Sequence, residues 1–434
     1  MTFLDRWFGS PDDQPTITDG ELFALIVFNL ITTIGLAGDI ARHLQHPEQL
    51  NSKDFLSGWH LILYGGVFGV GLWLGVGAIR RGPAFVRAGS FTTLGFVSLS
   101  IGGLLDAAWH GTFGTEKAVE ALVSPPHLVV FAGLLFLLTG PIVMLWRREP
   151  VRLGWVQSLA VLVSMVSSVL VTSLFTGFLS PFSGGMSLQP GYTEPLVGES
   201  ISDYDQVRGL GIVVWTIVVL TVGFVVPLCR FRLKPGLIVI GFALLVIPAR
   251  VLSGVEVMPL VYGFLAAGLV VEVGAGLLSR PVLGRVGASL VAALLGMSLW
   301  ATSFAVLQGD QLPDPYAGLV LDQGTVGATS GSDQVVDVGP DFAPVNPYGS
   351  VGDRLAWGPA LFGGAILLSG MVGAAVAALG TLVVDPAIGA GGTRAGPARR
   401  AVASGNGSGP LPDLDDDALF VASARSKAAP DREP

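Results

Sequence analysis

The chain predicts an all-α, polytopic integral membrane protein. Of its 434 residues 51% are hydrophobic and only 13% charged; the mean hydropathy is +0.66; and the apolar residues fall in long runs. A soluble core needs far fewer apolar residues. In hydrocarbon a backbone must satisfy its own hydrogen bonds, so runs of this length read as helices.

Ten runs of membrane-spanning length follow one another at about 22–41, 59–79, 88–109, 127–146, 154–176, 208–229, 235–253, 259–278, 286–307 and 357–384. Residues 1–20, with Asp5, Asp12, Asp13, Pro11 and Pro15, lack a basic region leading to a cleavage site and read as a retained cytoplasmic tail. Residues 21–147 form a duplicated four-helix unit of two outward-pointing hairpins. Residues 148–282 hold spans five to eight, with a long outer loop at 177–207; residues 283–384 hold spans nine and ten, with a longer one at 308–356. Both loops carry Asp and Tyr, and loops of such length are either solvated connections or covers over a site. Residues 385–434, rich in Gly, Ala, Pro, Ser and Asp, bury too little apolar area to offset ordering entropy and read as a disordered cytoplasmic tail.

Basic residues set the orientation. Arg80, Arg81 and Arg87 follow span two, Arg147, Arg148 and Arg152 span four, Arg230, Arg232 and Lys234 span six, and Arg280 and Arg285 span eight. These four connections share one side, expected to be cytoplasmic, with both termini, so the sequence predicts a multi-pass protein of the cell membrane. The net charge of −8 gives no support to a nucleic-acid partner. Lysine occurs only at Lys53, Lys117, Lys234 and Lys427, the composition expected of a halophilic archaeon with a GC-rich genome.

Four of the five histidines belong to one duplicated pattern. Asp39, His43 and His60 recur as Asp106, His110 and His127, each 67 residues further on, together with Gly35/Gly102, Ser57/Ser124, Leu61/Leu128 and Gly66/Gly133. A carboxylate and an imidazole four residues apart share a helix face. In each hairpin the second histidine re-enters at the depth where the first leaves, so six ligand-type groups are expected to converge near the outer boundary of the bilayer. Ionisable groups at such depth pair, coordinate or face water, and mark function. Two imidazoles and a carboxylate suit copper, zinc or non-haem iron, in two three-ligand sites or in one site with outer partners. The alternatives are a metal-free network of aspartate and histidine, a proton relay, and bis-histidine haem. Haem would leave two histidines and both aspartates unused.

Other signals are smaller. His46 has Phe113 as its counterpart and reads as a loop residue; the lone Cys229 allows no intramolecular disulfide and no thiolate cluster. Trp59 and Trp109 suit a bilayer boundary. Ser57 and Ser124, the latter before Pro125 and Pro126, are placed to cap helices. Arg250, Glu256 and Glu272 suit ion-pair or helix-dipole roles. There is no phosphate loop, nucleophile elbow or zinc-protease helix.

The spacing of Asp39, His43 and His60, and of Asp106, His110 and His127, resembles the intramembrane copper-site motif in the third subunit of the particulate methane and ammonia monooxygenase family. The resemblance covers a small share of the chain, the gap between histidines is longer here, and the duplication departs from that family's pattern. It implies copper-dependent oxidation of a small molecule at the outer membrane face, with partner membrane subunits. The sequence therefore leads to a membrane metalloprotein of redox type, with a metal-handling transporter and a zinc-dependent membrane hydrolase as alternatives.

Overall fold

A computed structural model describes residues 17–45, 58–114, 120–146, 153–179, 201–253, 258–278, 284–307 and 359–384. The described residues leave out 1–16 and 385–434, residues 180–200 and 308–358 of the outer loops, and Ser57, His46, the side chain of Arg250, and Glu256; the expected loop 177–207 is shorter than read, since the helix after it begins at Ile201. All described residues belong to one compact unit within Met1–Ala390.

The described residues are helical, and the helices follow the apolar runs. Hairpin one is α1 (Asp19–Gln45) and α2 (Gly58–Arg81). After the short α3 (Pro83–Ala88), hairpin two is α4 (Ser90–Phe113), the single turn α5 (Glu120–Val123) and α6 (Pro125–Trp146). Then come α7 (Trp155–Phe175), α8 (Ile201–Leu220), α9 (Leu237–Ser253), α10 (Met258–Leu278), α11 (Gly284–Leu307) and α12 (Pro359–Val384). Beyond α8 the helix passes through a π-helical turn, Thr221–Val225, before ending at Leu228. Eight of these helices are long and apolar enough across their described residues to cross a membrane, and α9 and α10 contribute shorter apolar stretches, Leu237–Ile247 and Val261–Gly276.

Helix α7 is the centre of the bundle. It packs against α1, α6, α8 and α9, and Ala160, Val161, Met165 and Val171 on it are fully buried. Hairpins one and two lie to one side and touch through α2 and α4, while α10, α11 and α12 pack in sequence on the other. With lipid tails as apolar as leucine, such helices are held by close fit and hydrogen bonds, which favours small residues at crossings. Hairpin one closes where Gly35 meets the backbone of Leu63 and Gly66 that of Thr32. The contacts of hairpin two fall 67 residues later: a Cβ on Gly102 would reach within 3.1 Å of the Val130 nitrogen, and one on Gly133 within 2.9 Å of the Leu99 nitrogen.

Local chemistry fixes the basic end of the bundle. The Thr18 backbone N–H donates to Glu21 Oε2 at 2.8 Å and the Glu21 N–H donates to Thr18 Oγ1 at 3.3 Å, a capping box that starts α1. Arg81, ending α2, pairs with Glu21 at 3.3 Å, and Gln157 on α7 donates to Asp19 at 3.3 Å. Arg230 donates to the Trp146 carbonyl at 3.1 Å, joining the ends of α6 and α8. Glu272 accepts the N–H groups of Gly236 and Ile238, each at 3.0 Å, and so caps α9 with a negative charge where the helix dipole favours one. Basic connections after α2 and α8 therefore sit at one end of the bundle, with the starts of α1, α7 and α9.

Replacing Gly35 or Gly102 by Leu should force the hairpin helices apart. Overpacking a close crossing costs about 1–3 kcal/mol or more, so thermal unfolding in detergent should show a lowered midpoint for either variant, and an unchanged one for Gly75→Leu, where a side chain meets open space.

Candidate metal centre

The site lies at the end of the bundle opposite the basic connections, where α4 ends and α6 begins. Asp106 and His110 share one face of the last turns of α4. Gly114 ends that helix with φ 84° and ψ −176°, a conformation open in practice to glycine alone, and its N–H donates back to the His110 carbonyl at 3.1 Å. Pro125 and Pro126 occupy the first positions of α6, where a missing N–H costs nothing, and place His127 on its first turn.

Three ligand atoms meet there. His110 Nε2 lies 3.3 Å and His127 Nε2 3.2 Å from the same oxygen, Asp106 Oδ1. One nitrogen from each ring and this oxygen all lie within 4.8 Å of one another, and the two rings meet edge to face with centroids 6.0 Å apart. Asp106 is 8% exposed. Despite the short distances, no N–H is aimed well enough at Oδ1 to make a hydrogen bond.

The outer nitrogens explain the ring orientations. His110 Nδ1 faces the Gly114 carbonyl at 3.1 Å. A carbonyl only accepts, so Nδ1 carries a proton, and Nε2 is the nitrogen that faces Asp106. His127 Nδ1 is 2.9 Å from Ser124 Oγ. Ser124 does hold the cap position, since its carbonyl accepts the Leu128 N–H at 2.9 Å, but its hydroxyl is turned to the histidine. Orienting partners of this kind, on the nitrogen away from the ion, are usual for metal-bound imidazole. Bonds of about 2.0–2.1 Å to a tetrahedral ion would set neighbouring donor atoms roughly 3.3–3.4 Å apart. The two nitrogen–oxygen separations of 3.2 and 3.3 Å fit that spacing, and a tetrahedral ion held by these three groups would have a fourth position open.

Hairpin one differs. Asp39 Oδ1 lies 3.1 Å from His60, but from Nδ1. His43 is helical in α1 and its side chain lies outside the described residues. Tyr64, one turn after His60, has its ring centroid 5.6 Å from that of His60 and stands within electrostatic reach of both Asp39 and Asp106. At the matching position Phe131 stacks on Phe175 of α7, with centroids 4.7 Å apart. The structure thus brings together Asp39 with His60, and Asp106 with His110 and His127. Gly114 and Tyr64 were missed from sequence, although a glycine closing the helix and a tyrosine one turn past a site histidine were the available signals.

Burial pushes the Cys229 thiol up to about 11, and it donates to the Val225 carbonyl at 3.3 Å. It is a protonated thiol at neutral pH and no soft ligand. Neither a family model, a curated protein nor a solved structure matches this chain.

Gly114→Ala should strain the turn that holds the His110 ring. The conformation costs about 1–3 kcal/mol for a residue with a Cβ, to be read as a lower unfolding midpoint; Gly111→Ala, a helical glycine with open space around it, should leave the midpoint unchanged or raise it.

Proposed function

We propose that this chain is a multi-pass protein of the cell membrane whose second hairpin binds one transition-metal ion through Asp106, His110 and His127. In this reading it is a copper-dependent oxidoreductase of monooxygenase type. The carrying observation is the convergence of two Nε2 atoms on a buried carboxylate oxygen with no hydrogen bond directed at it. A shared proton would align one N–H with Oδ1; a cation between the three atoms requires the lone pairs to converge instead. Two imidazoles and a carboxylate, without thiolate, suit copper among the transition metals, with iron and zinc as further candidates. Bound copper would supply redox chemistry at its open position. The protein's part is to orient the rings through Ser124 and the Gly114 carbonyl, and to hold the Asp106 carboxylate oxygen between them.

The rest of the reading follows from that site. All ten long helices span the bilayer, both termini are cytoplasmic with the basic connections, and the centre opens near the outer face. Residues 21–147 arose by duplication of one hairpin. Asp39 and His60 are paired at the corresponding place of hairpin one, and partner membrane subunits deliver electrons. A transport site is usually built near the bilayer midplane from broken helices, whereas α4 ends and α6 begins at this centre.

Metal analysis of the purified protein tests the proposal. Wild type should hold one copper per chain, His127→Ala and Asp106→Asn should lose it, and His60→Ala should retain it. Stoichiometric zinc instead would support the hydrolase reading, and trace metal in all four would end every metal reading. Ser124→Ala should retain the fold and weaken copper binding about 10–100-fold, the usual effect of removing an orienting partner; a competition titration with a chelator reads this.

A further inference from the structure

A second set of unsatisfied polar atoms lies deep in the bundle, away from the metal centre. Asn29 on α1 is fully buried, and neither its Oδ1 nor its Nδ2 meets a partner among the described residues. It stands ten residues from Asp19, about 15 Å into the span. On α7, nine residues from Trp155 and about 13.5 Å in, Ser164 is 1% exposed and its hydroxyl is likewise unpartnered. The third helix is α6. Pro141 lies inside it and carries no N–H, so the carbonyl of Leu137 has no donor one turn on. Leu137 is fully buried, nine residues from Trp146 and about 13.5 Å in. All three depths are measured from the basic end of the bundle, and the three helices pack against one another. The other principal neighbours of α1 offer no polar side chain at this level: α2 presents Gly66 to Val70, and α9 Gly241 to Ile247.

We infer that α1, α6 and α7 hold a buried water site at this level, bounded by the Asn29 amide, the Ser164 hydroxyl and the Leu137 carbonyl. A buried amide left unpaired in an apolar interior is costly, and the chemistry of this one selects its ligand. Nδ2 only donates and Oδ1 only accepts, so a molecule that satisfies both must accept and donate at once. A cation would answer Oδ1 and the carbonyl, leave Nδ2 unpaired, and bring a charge where these three helices carry no carboxylate within two turns. An anion would leave Oδ1 and the carbonyl unanswered. Water does both, and a buried water typically makes about three hydrogen bonds to groups otherwise unsatisfied. The site is independent of the metal reading, since Leu137 is ten residues, about 15 Å, from His127 along α6.

X-ray radiolytic footprinting of the whole protein in nanodiscs, in isotopically labelled water, tests this, because hydroxyl radicals made from a bound water oxidise the side chains beside it. Met165, next to Ser164 and fully buried, is the reporter. Met144 is the control, being 5% exposed and nearer the end of the bundle, so that water leaking in from that end would reach it first. In wild type Met165 should take up labelled oxygen at least about tenfold faster than Met144. Asn29→Leu, of similar volume, should bring Met165 down to the Met144 rate, and Pro141→Ala, which returns an N–H to the Leu137 carbonyl, should slow it at least about twofold. Unfolding midpoints are measured on the same samples. If Asn29→Leu does not fold, Ser164→Ala takes its place and must slow Met165 at least about twofold. Equal rates at Met165 and Met144 in wild type overturn the inference and leave the metal reading untouched, as does a Met165 rate that Asn29→Leu leaves unchanged.

Discussion

The second hairpin is arranged around the cost of holding one carboxylate near the end of an apolar helix. An isolated ionised aspartate in hydrocarbon is expensive, and a charge there persists only when paired, coordinated or wetted. Asp106 is met by two imidazoles, one from its own helix a turn away and one from the neighbouring helix. The neighbouring ring reaches it because Gly102 and Gly133 let α4 and α6 approach almost backbone to backbone. A larger residue at either crossing would carry His127 away from Asp106. The close packing of the hairpin and the chemistry at its end are therefore one constraint.

The two hairpins keep the same frame and differ in their polar ends. Their close crossings fall at the same positions 67 residues apart. Yet Asp39 meets Nδ1 of its histidine while Asp106 meets Nε2. That difference follows from what holds the other nitrogen, since Ser124 takes Nδ1 of His127 and leaves Nε2 for the carboxylate. Positions 64 and 131 diverge similarly, with a tyrosine turned to the polar groups in one hairpin and a phenylalanine stacked on the central helix in the other. The same aspartate–histidine pair on a common frame thus meets through different ring nitrogens in the two hairpins.

The bundle is polar along its length. At one end, Glu21, Arg81, Arg230 and Glu272 tie helix ends together with charged hydrogen bonds where the chain leaves the apolar region. At the other, α4 and α6 end in histidines and an aspartate. Between them the described core is apolar apart from Asn29 and small hydroxyl side chains, some of which return their hydroxyl to the carbonyl one turn back, as Thr32, Thr33 and Thr172 do. Such local bonds let polar residues lie inside a membrane helix without a distant partner.

The sequence by itself determined the helices and the placing of Asp106 and His110 on one helix face. Apolar runs mark spans because lipid offers the backbone no other partner, and Asp106 and His110 were on one face because a helix repeats every 3.6 residues. It also determined Glu272 as a helix-end residue, through its charge near the end of a span. Only the tertiary structure decided that both histidines of hairpin two face one oxygen of Asp106, which nitrogen each presents, and that the Ser124 hydroxyl turns to His127 while its carbonyl holds the cap position. It alone revealed that Gly114 orients His110 through its carbonyl. These facts depend on the distance between helices and on which atoms already hold the outer nitrogens, and no spacing along the chain encodes either.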